Sequence, residues 1–94
     1  MDISIEIRAL GRRFAGRLDP AILADALEYL DFNEWGLALE VLAEKLSDEG
    51  STVTAAECAK FDELGACLGL PKDRFQFLRD LHDLGDVPPE GETK

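Results

Sequence analysis

The stretch NEWGLALEVLAEKLSDEG, residues 33–50, decides the fold, because it is the strongest helix signal in the chain and also its most acidic patch. At about 100° per residue, its apolar side chains fall on one side, as expected for a helix that faces a core. These side chains are Trp35, Ala38, Leu39, Leu42 and Leu46. Asn33 is predicted to cap this helix at its N-terminus, and Gly50 to end it in the left-handed conformation.

The other side of this predicted helix is acidic and carries two apolar residues among its carboxylates. The carboxylates are Glu34, Glu40, Glu44 and Asp48, and the apolar residues are Leu37 and Val41. In one interpretation a second helix covers the two apolar residues, as happens in small bundles. In the other, they are the anchors of a partner-binding face surrounded by carboxylates, with Tyr29 of the preceding helix as a further anchor.

The chain of 94 residues is long enough for one domain with a single core, and its 46% of hydrophobic residues argues against disorder throughout. Its formal net charge is −10, and residues 19–63 alone hold twelve acidic residues against Lys45 and Lys60. Such a surface repels nucleic-acid phosphates and anionic lipids, so we expect neither nucleic acid nor a membrane as a direct partner. It attracts a basic protein, although solubility alone also explains an acidic composition.

Several features favour a cytoplasmic protein. The sequence contains no apolar run near the roughly 20 residues that span a membrane, and its first residues do not form a secretory signal. Cys58 and Cys67 lie in one predicted helix, about 13 Å apart at the usual rise per residue, which excludes a disulfide between them within that helix. A reducing compartment is the simplest setting for such cysteines.

Five helices and no convincing pair of strands predict an all-α fold, a small bundle of short helices. The helices are expected at about residues 3–18, 20–31, 33–50, 55–68 and 72–84. The opening ISIEI also alternates like a strand, but the longer helical register favours a helix. Thr54 and Glu57 match a capping box, and Gly69 and Gly85 are predicted helix ends. Residues 1–85 are predicted to be a single helical domain and residues 86–94 a disordered tail.

The residues that could support catalysis or metal binding are few. His82 is the only histidine, and the sequence offers it no evident nucleophile or orienting partner. One histidine and two separated cysteines do not make a four-ligand zinc site, and carboxylates at helical spacing differ from a calcium-binding loop. We therefore expect no enzyme, no metal and no cofactor. An enzyme would instead require a pocket that holds His82 near several carboxylates.

Two blocks of sequence follow each other in a distinctive order: EWGLALEVLAEKL at residues 34–46 and FDELGACLGL at residues 61–70. They resemble the MafI family of immunity proteins from bacterial toxin systems, whose members show a GLALE-like core and then an LG-x-x-LGL pattern. The resemblance covers about residues 31–81. Family members often continue the first block with a CDQLYE-like sequence, whereas this chain has AEKLSD, which keeps an acid at Glu44 but lacks the Cys and Tyr.

The resemblance implies a cytoplasmic protein that binds one delivered toxin and blocks it. A basic toxin, such as a nuclease, would suit the acidic middle of this chain, because opposite charges speed association. The predicted contact residues are Glu34, Glu40, Glu44, Asp48, Leu37, Val41 and Tyr29. Mimicry of nucleic-acid phosphates is partly contained in this interpretation. The alternative is a small structural or adaptor module that docks a non-toxic helical partner.

Overall fold

The computed structural model describes residues 2–85, with side chains described for residues 2–81. This part of the chain is all-α, as predicted, and contains no strand beyond an isolated bridge between Ala15 and Leu18. The elements are α1 (Ile3–Arg12), α2 (Pro20–Glu28), a 3₁₀ helix (Tyr29–Phe32), α3 (Trp35–Asp48), α4 (Ala55–Cys67) and α5 (Leu78–Gly85). Among the residues described, none of these helices combines the length and the apolar character needed to cross a membrane.

The first helix begins as predicted but is shorter than expected. The Asp2 side chain caps it by accepting a hydrogen bond from the Ile5 N–H at 3.3 Å, so the opening residues are helical rather than extended. The helix ends at Arg12 instead of near Leu18, and turns follow, with Gly16 at a φ of +94°. This left-handed conformation suits glycine and breaks the helical path.

The link between α2 and α3 corrects the predicted cap at Asn33. Asn33 has a φ of 59° and ends the 3₁₀ helix, and the N-cap of α3 is Glu34, whose side chain makes no capping hydrogen bond. Asparagine tolerates the left-handed conformation better than most residues, which explains its place in this tight connection. Gly50 has a φ of +65°, as predicted for the residue that follows α3.

In the second half of the molecule the predicted capping box is confirmed, and the predicted start of the last helix is wrong. Thr54 and Glu57 form a complete capping box at the start of α4, and Gly69 is left-handed after that helix. The last helix begins at Leu78 rather than near residue 72, because residues 72–77 form successive turns with hydrogen bonds three residues apart. The His82 side chain and the predicted tail, residues 86–94, lie outside the described part of the structure.

The third helix is central, since it packs against α1, α2, α4 and α5. Its buried residues are Ala38, Leu39, Leu42, Ala43 and Leu46, which confirms most of the predicted apolar stripe; Trp35 is partly buried. Each leucine buried in this way contributes about 1.5–3 kcal/mol relative to exposure. Phe14, Phe61 and Phe75 form an aromatic cluster in the same core, with ring centroids 6.3 and 5.4 Å apart.

Candidate functional site

The surface that the sequence singles out lies along one side of α3. We call it the α3 face and define it by Leu37, Glu40, Val41, Glu44 and Asp48, which share this side through their helical spacing. Leu37 is 41% exposed, whereas Val41 is partly buried and packs against the core. The first interpretation, burial under other residues, therefore fits Val41. The second, an exposed apolar residue among carboxylates, fits Leu37.

An arginine from the turns that precede α5 binds two of the predicted carboxylates. The Arg74 Nε donates to Glu40 Oε2 at 2.6 Å, and Arg74 Nη2 lies 3.9 Å from Glu44 Oε2. Asp48 and Glu34 are exposed and form no ion pair with any described residue. The negative charge of the α3 face is therefore partly neutralised within the chain, and this neutralisation was not expected from the sequence.

Tyr29, the predicted anchor outside α3, belongs to a second surface. Asp25, Glu28, Tyr29 and Phe32 line a cavity of about 280 Å³, and we call these four residues the aromatic corner. The backbone runs from α2 into the 3₁₀ helix without a break, so positions i, i+3, i+4 and i+7 fall on one side. Phe32 is 68% exposed.

The aromatic corner is linked to the start of α3, because the Glu34 N–H donates to the Tyr29 carbonyl at 3.0 Å. The sequence signal for the corner is the pattern D-x-x-E-Y-x-x-F at residues 25–32. The sequence pattern assigned Tyr29 to a partner surface, but Phe32 fell between the helices predicted at residues 20–31 and 33–50, so the cavity was not predicted.

The carboxylates of the aromatic corner differ from that of the neighbouring Asp31. Asp31 pairs with Arg8 at 3.7 Å, but neither Asp25 nor Glu28 forms an ion pair within the described residues. Arg8 and Arg12 line an adjacent groove of about 550 Å³ that Asp25 and Glu28 also border. These arginines moderate the local potential without forming ion pairs with Asp25 or Glu28, so both carboxylates keep their full capacity to accept hydrogen bonds.

A third group of charges lies between the turns that follow α1 and the start of α4, and its carboxylate is buried. Glu57 is 1% exposed, and its carboxylate accepts hydrogen bonds from Arg17 at 2.7 and 3.0 Å and from Arg13 at 2.9 Å. The Arg17 guanidinium also lies over the Phe14 ring, 4.7 Å from its centroid. We call Arg13, Phe14, Arg17 and Glu57 the Glu57 cluster. The sequence predicted Glu57 only as part of a capping box and did not predict the cluster.

The pKa of Glu57 reflects two opposing effects. Burial of the carboxyl raises the pKa, but hydrogen bonds from Arg17, the Thr54 N–H and Arg13 outweigh it and lower the pKa from 4.5 to about 2. The hydrogen bond to Glu57 likewise raises the pKa of Arg17. The cluster therefore keeps its charges over the whole neutral range. It joins the turns that follow α1 to the start of α4.

The described side chains, residues 2–81, include no group of three or more His, Cys, Asp and Glu residues placed to hold a metal ion. Cys67 is exposed, and Cys58 is buried with its Sγ 3.6 Å from the Leu78 carbonyl oxygen. A groove of about 310 Å³ between α1 and α4 is bordered by charges that already pair with each other, such as Glu6 and Lys60 at 3.0 Å. The α3 face and the aromatic corner are therefore the surfaces best suited to binding.

The fold and these surfaces define a small all-α domain whose acidic surface carries exposed apolar side chains. A comparison of the chain with protein-family models, with characterised proteins and with solved structures found no match.

Proposed function

We propose that the protein is an immunity protein that binds and neutralises a cognate bacterial toxin domain through its acidic helical surface. The observation that carries this proposal is the exposure of Leu37, at 41%, on the helix that also presents Glu44 and Asp48. An apolar anchor surrounded by carboxylates is the arrangement expected of a surface that binds a basic protein. The resemblance of residues 34–46 and 61–70 to the MafI family supports the same function.

The proposed mechanism is occlusion without catalysis. The local negative potential of the α3 face, on a chain with a formal charge of −10, steers a basic toxin domain, such as a nuclease, toward this face and raises the association rate. Burial of Leu37 against the toxin then slows dissociation, because desolvated apolar anchors at the centre of an interface contribute most to its free energy. In this proposal the protein acts in the cytoplasm, where a delivered toxin would reach its target.

Co-expression with the toxin tests this proposal. The proposal requires a neighbouring gene for a large secreted protein, and the C-terminal domain of that protein would be produced in a bacterial host with and without this chain. We expect growth to be restored when the protein is present. The double variant Glu44→Lys/Asp48→Lys should associate with the purified toxin domain more slowly and with weaker salt dependence, because its steering charge is reversed.

A matched control separates the α3 face from net charge. Glu63→Lys/Asp80→Lys makes the same change in charge at exposed positions on α4 and α5 and should leave association close to that of the wild type. Circular dichroism checks that both double variants are folded. Full protection and unchanged association kinetics in folded Glu44→Lys/Asp48→Lys would contradict the role of the α3 face. Absence of any complex with the toxin domain would contradict the function itself.

The exposure of Leu37 also suits a second function, that of a small adaptor module that docks a non-toxic helical partner. The two functions differ in one measurable respect. An adaptor forms a stable complex with a partner whose expression alone does not impair growth, whereas the partner of an immunity protein is toxic when expressed alone.

A further inference from the structure

We infer that the aromatic corner, formed by Asp25, Glu28, Tyr29 and Phe32, is a binding site for one arginine side chain of a basic protein partner. The identification of that partner as a toxin rests on the proposed function, whereas the chemistry of the site does not. The site lies at the junction of α2 and the 3₁₀ helix, and none of its four residues belongs to the α3 face.

The chemical groups that line the corner suit a side chain with a flat cationic end. Its cavity of about 280 Å³ has two carboxylates and two aromatic rings in its lining. A guanidinium group can donate hydrogen bonds in its own plane while its face stacks on an aromatic ring, which a compact ammonium group does less well. The combination of Asp25 or Glu28 with Phe32 therefore favours arginine over lysine.

The charges of the corner also favour a cation from another molecule. Asp25 and Glu28 lie one helical turn apart on α2 and repel each other, and no described residue forms an ion pair with either. An incoming arginine relieves this repulsion and donates to oxygens that otherwise face water. Arg8 and Arg12, across the adjacent groove, reduce the attraction at long range but leave these oxygens accessible.

The same chain already binds an arginine in this way elsewhere. In the Glu57 cluster, the Arg17 guanidinium donates to a carboxylate at 2.7 Å and lies 4.7 Å from the centroid of the Phe14 ring. The aromatic corner presents the same two kinds of group, a carboxylate and an aromatic ring, on its surface. Phe32, at 68% exposure, is an unusually open aromatic side chain, and a bound arginine would cover one of its faces.

Nuclear magnetic resonance of the full chain, titrated with N-acetyl-arginine amide, tests the site directly. We expect concentration-dependent shifts of the Tyr29 and Phe32 resonances with a dissociation constant on the order of 30 mM, since one exposed ion pair and one cation–π contact are each weak. N-acetyl-citrulline amide, which has nearly the same shape without the charge, should give much smaller shifts. N-acetyl-lysine amide should bind more weakly than the arginine amide.

Two double variants provide the comparison. Asp25→Asn/Glu28→Gln removes both carboxylates. It should raise the dissociation constant of the arginine amide by about tenfold, because charge-assisted hydrogen bonds are lost. Glu44→Gln/Asp48→Asn makes the same change in net charge on the α3 face and should leave the response of Tyr29 and Phe32 unchanged. Both variants alter exposed residues, so the fold should persist, and the amide spectrum verifies it.

Three results would overturn the inference: equal responses to the citrulline and arginine amides, equal binding of the lysine amide, or an unchanged response in Asp25→Asn/Glu28→Gln. The outcome is separable from that of the proposed function. Arginine binding without toxin neutralisation would refute the immunity function and leave the site as one for another basic partner. Toxin neutralisation without a response at Tyr29 and Phe32 would refute the site alone.

Discussion

The Glu57 cluster and the aromatic corner are built from the same kinds of group but differ in burial and in their cations. Glu57 is 1% exposed and is bound by two arginines of the chain, while Phe14 beside it is fully buried. In the corner, Phe32 is 68% exposed and no described residue forms an ion pair with the carboxylates. The comparison shows that this chain uses the same kinds of group in two settings: buried with internal cations in the Glu57 cluster, and exposed without an ion pair to any described residue in the aromatic corner.

The α3 face lies between these extremes, because Arg74 pairs with Glu40 and lies near Glu44 while Asp48 has no partner among the described residues. The formal charge of −10 therefore overstates what the protein offers to a partner. Carboxylates that already have an internal cation bring little further attraction at short range, since a partner must first displace that cation.

The largest effect is expected for Glu57→Ala, which removes the buried carboxylate of the Glu57 cluster. We expect unfolding free energy to fall by about 3 kcal/mol, because the variant leaves Arg17 without its carboxylate and removes half of the capping box. Arg13 and Arg17 reach solvent, which keeps the loss at the low end for a buried pair. Urea unfolding measures the change.

The matched control for this prediction is Glu28→Ala in the aromatic corner, which should alter stability by less than about 0.5 kcal/mol, because it is an exposed residue without an internal partner. Similar losses in the two variants would contradict the distinction between the cluster and the corner.

The stability of the protein should depend on pH through the ionisation of Glu57 in the same cluster. The pKa of Glu57 is lowered to about 2 in the folded protein, so its stabilisation is complete above the unfolded value of 4.5 and is lost as pH falls from 4.5 toward 2. The difference in unfolding free energy between wild type and Glu57→Gln should therefore narrow by about 2 kcal/mol between pH 6 and pH 3. Urea unfolding at a series of pH values measures it.

The comparison with Glu57→Gln is chosen because the other carboxylates titrate in both proteins and largely cancel. A difference that stays constant from pH 6 to pH 3 would mean that the Glu57 carboxylate is not held in its charged form by the arginines.

Local signals in the sequence explain which parts of the fold were predictable. The capping box at Thr54 and Glu57, the left-handed Gly50 and the buried stripe of α3 all depend on residues within a few positions of each other. The early end of α1 and the turns before α5 were not predicted, because Phe14 and Phe75 fit a helical register and are buried without being helical.

The charge pairs were less predictable than the helices, because they join residues that are distant in sequence. Glu57 and Arg17 are 40 positions apart, and Arg74 and Glu40 are 34 apart. Nothing in the sequence specifies which of many arginines meets which carboxylate. The residues of the aromatic corner, by contrast, are close in sequence. Their pattern at residues 25–32 predicts the corner if the helical register of α2 continues into the 3₁₀ helix.

The smallest effect is expected for Arg74→Ala. This variant tests whether the ion pairs of the α3 face stabilise the fold, as those of the Glu57 cluster do, or contribute little to it. Arg74 is 41% exposed and Glu40 24%, so the ion pair is screened by water, and its loss should lower the unfolding free energy by less than about 1 kcal/mol. Arg17→Ala, which removes a cation from a carboxylate that is 1% exposed, should cost at least twice as much in the same urea titration. Equal losses would mean that Arg74 holds the turns before α5 in place, and the binding role would then fall to Leu37, Asp48 and the aromatic corner. A small loss would instead mean that a basic partner can displace Arg74 from Glu40 and Glu44 at little cost to the fold.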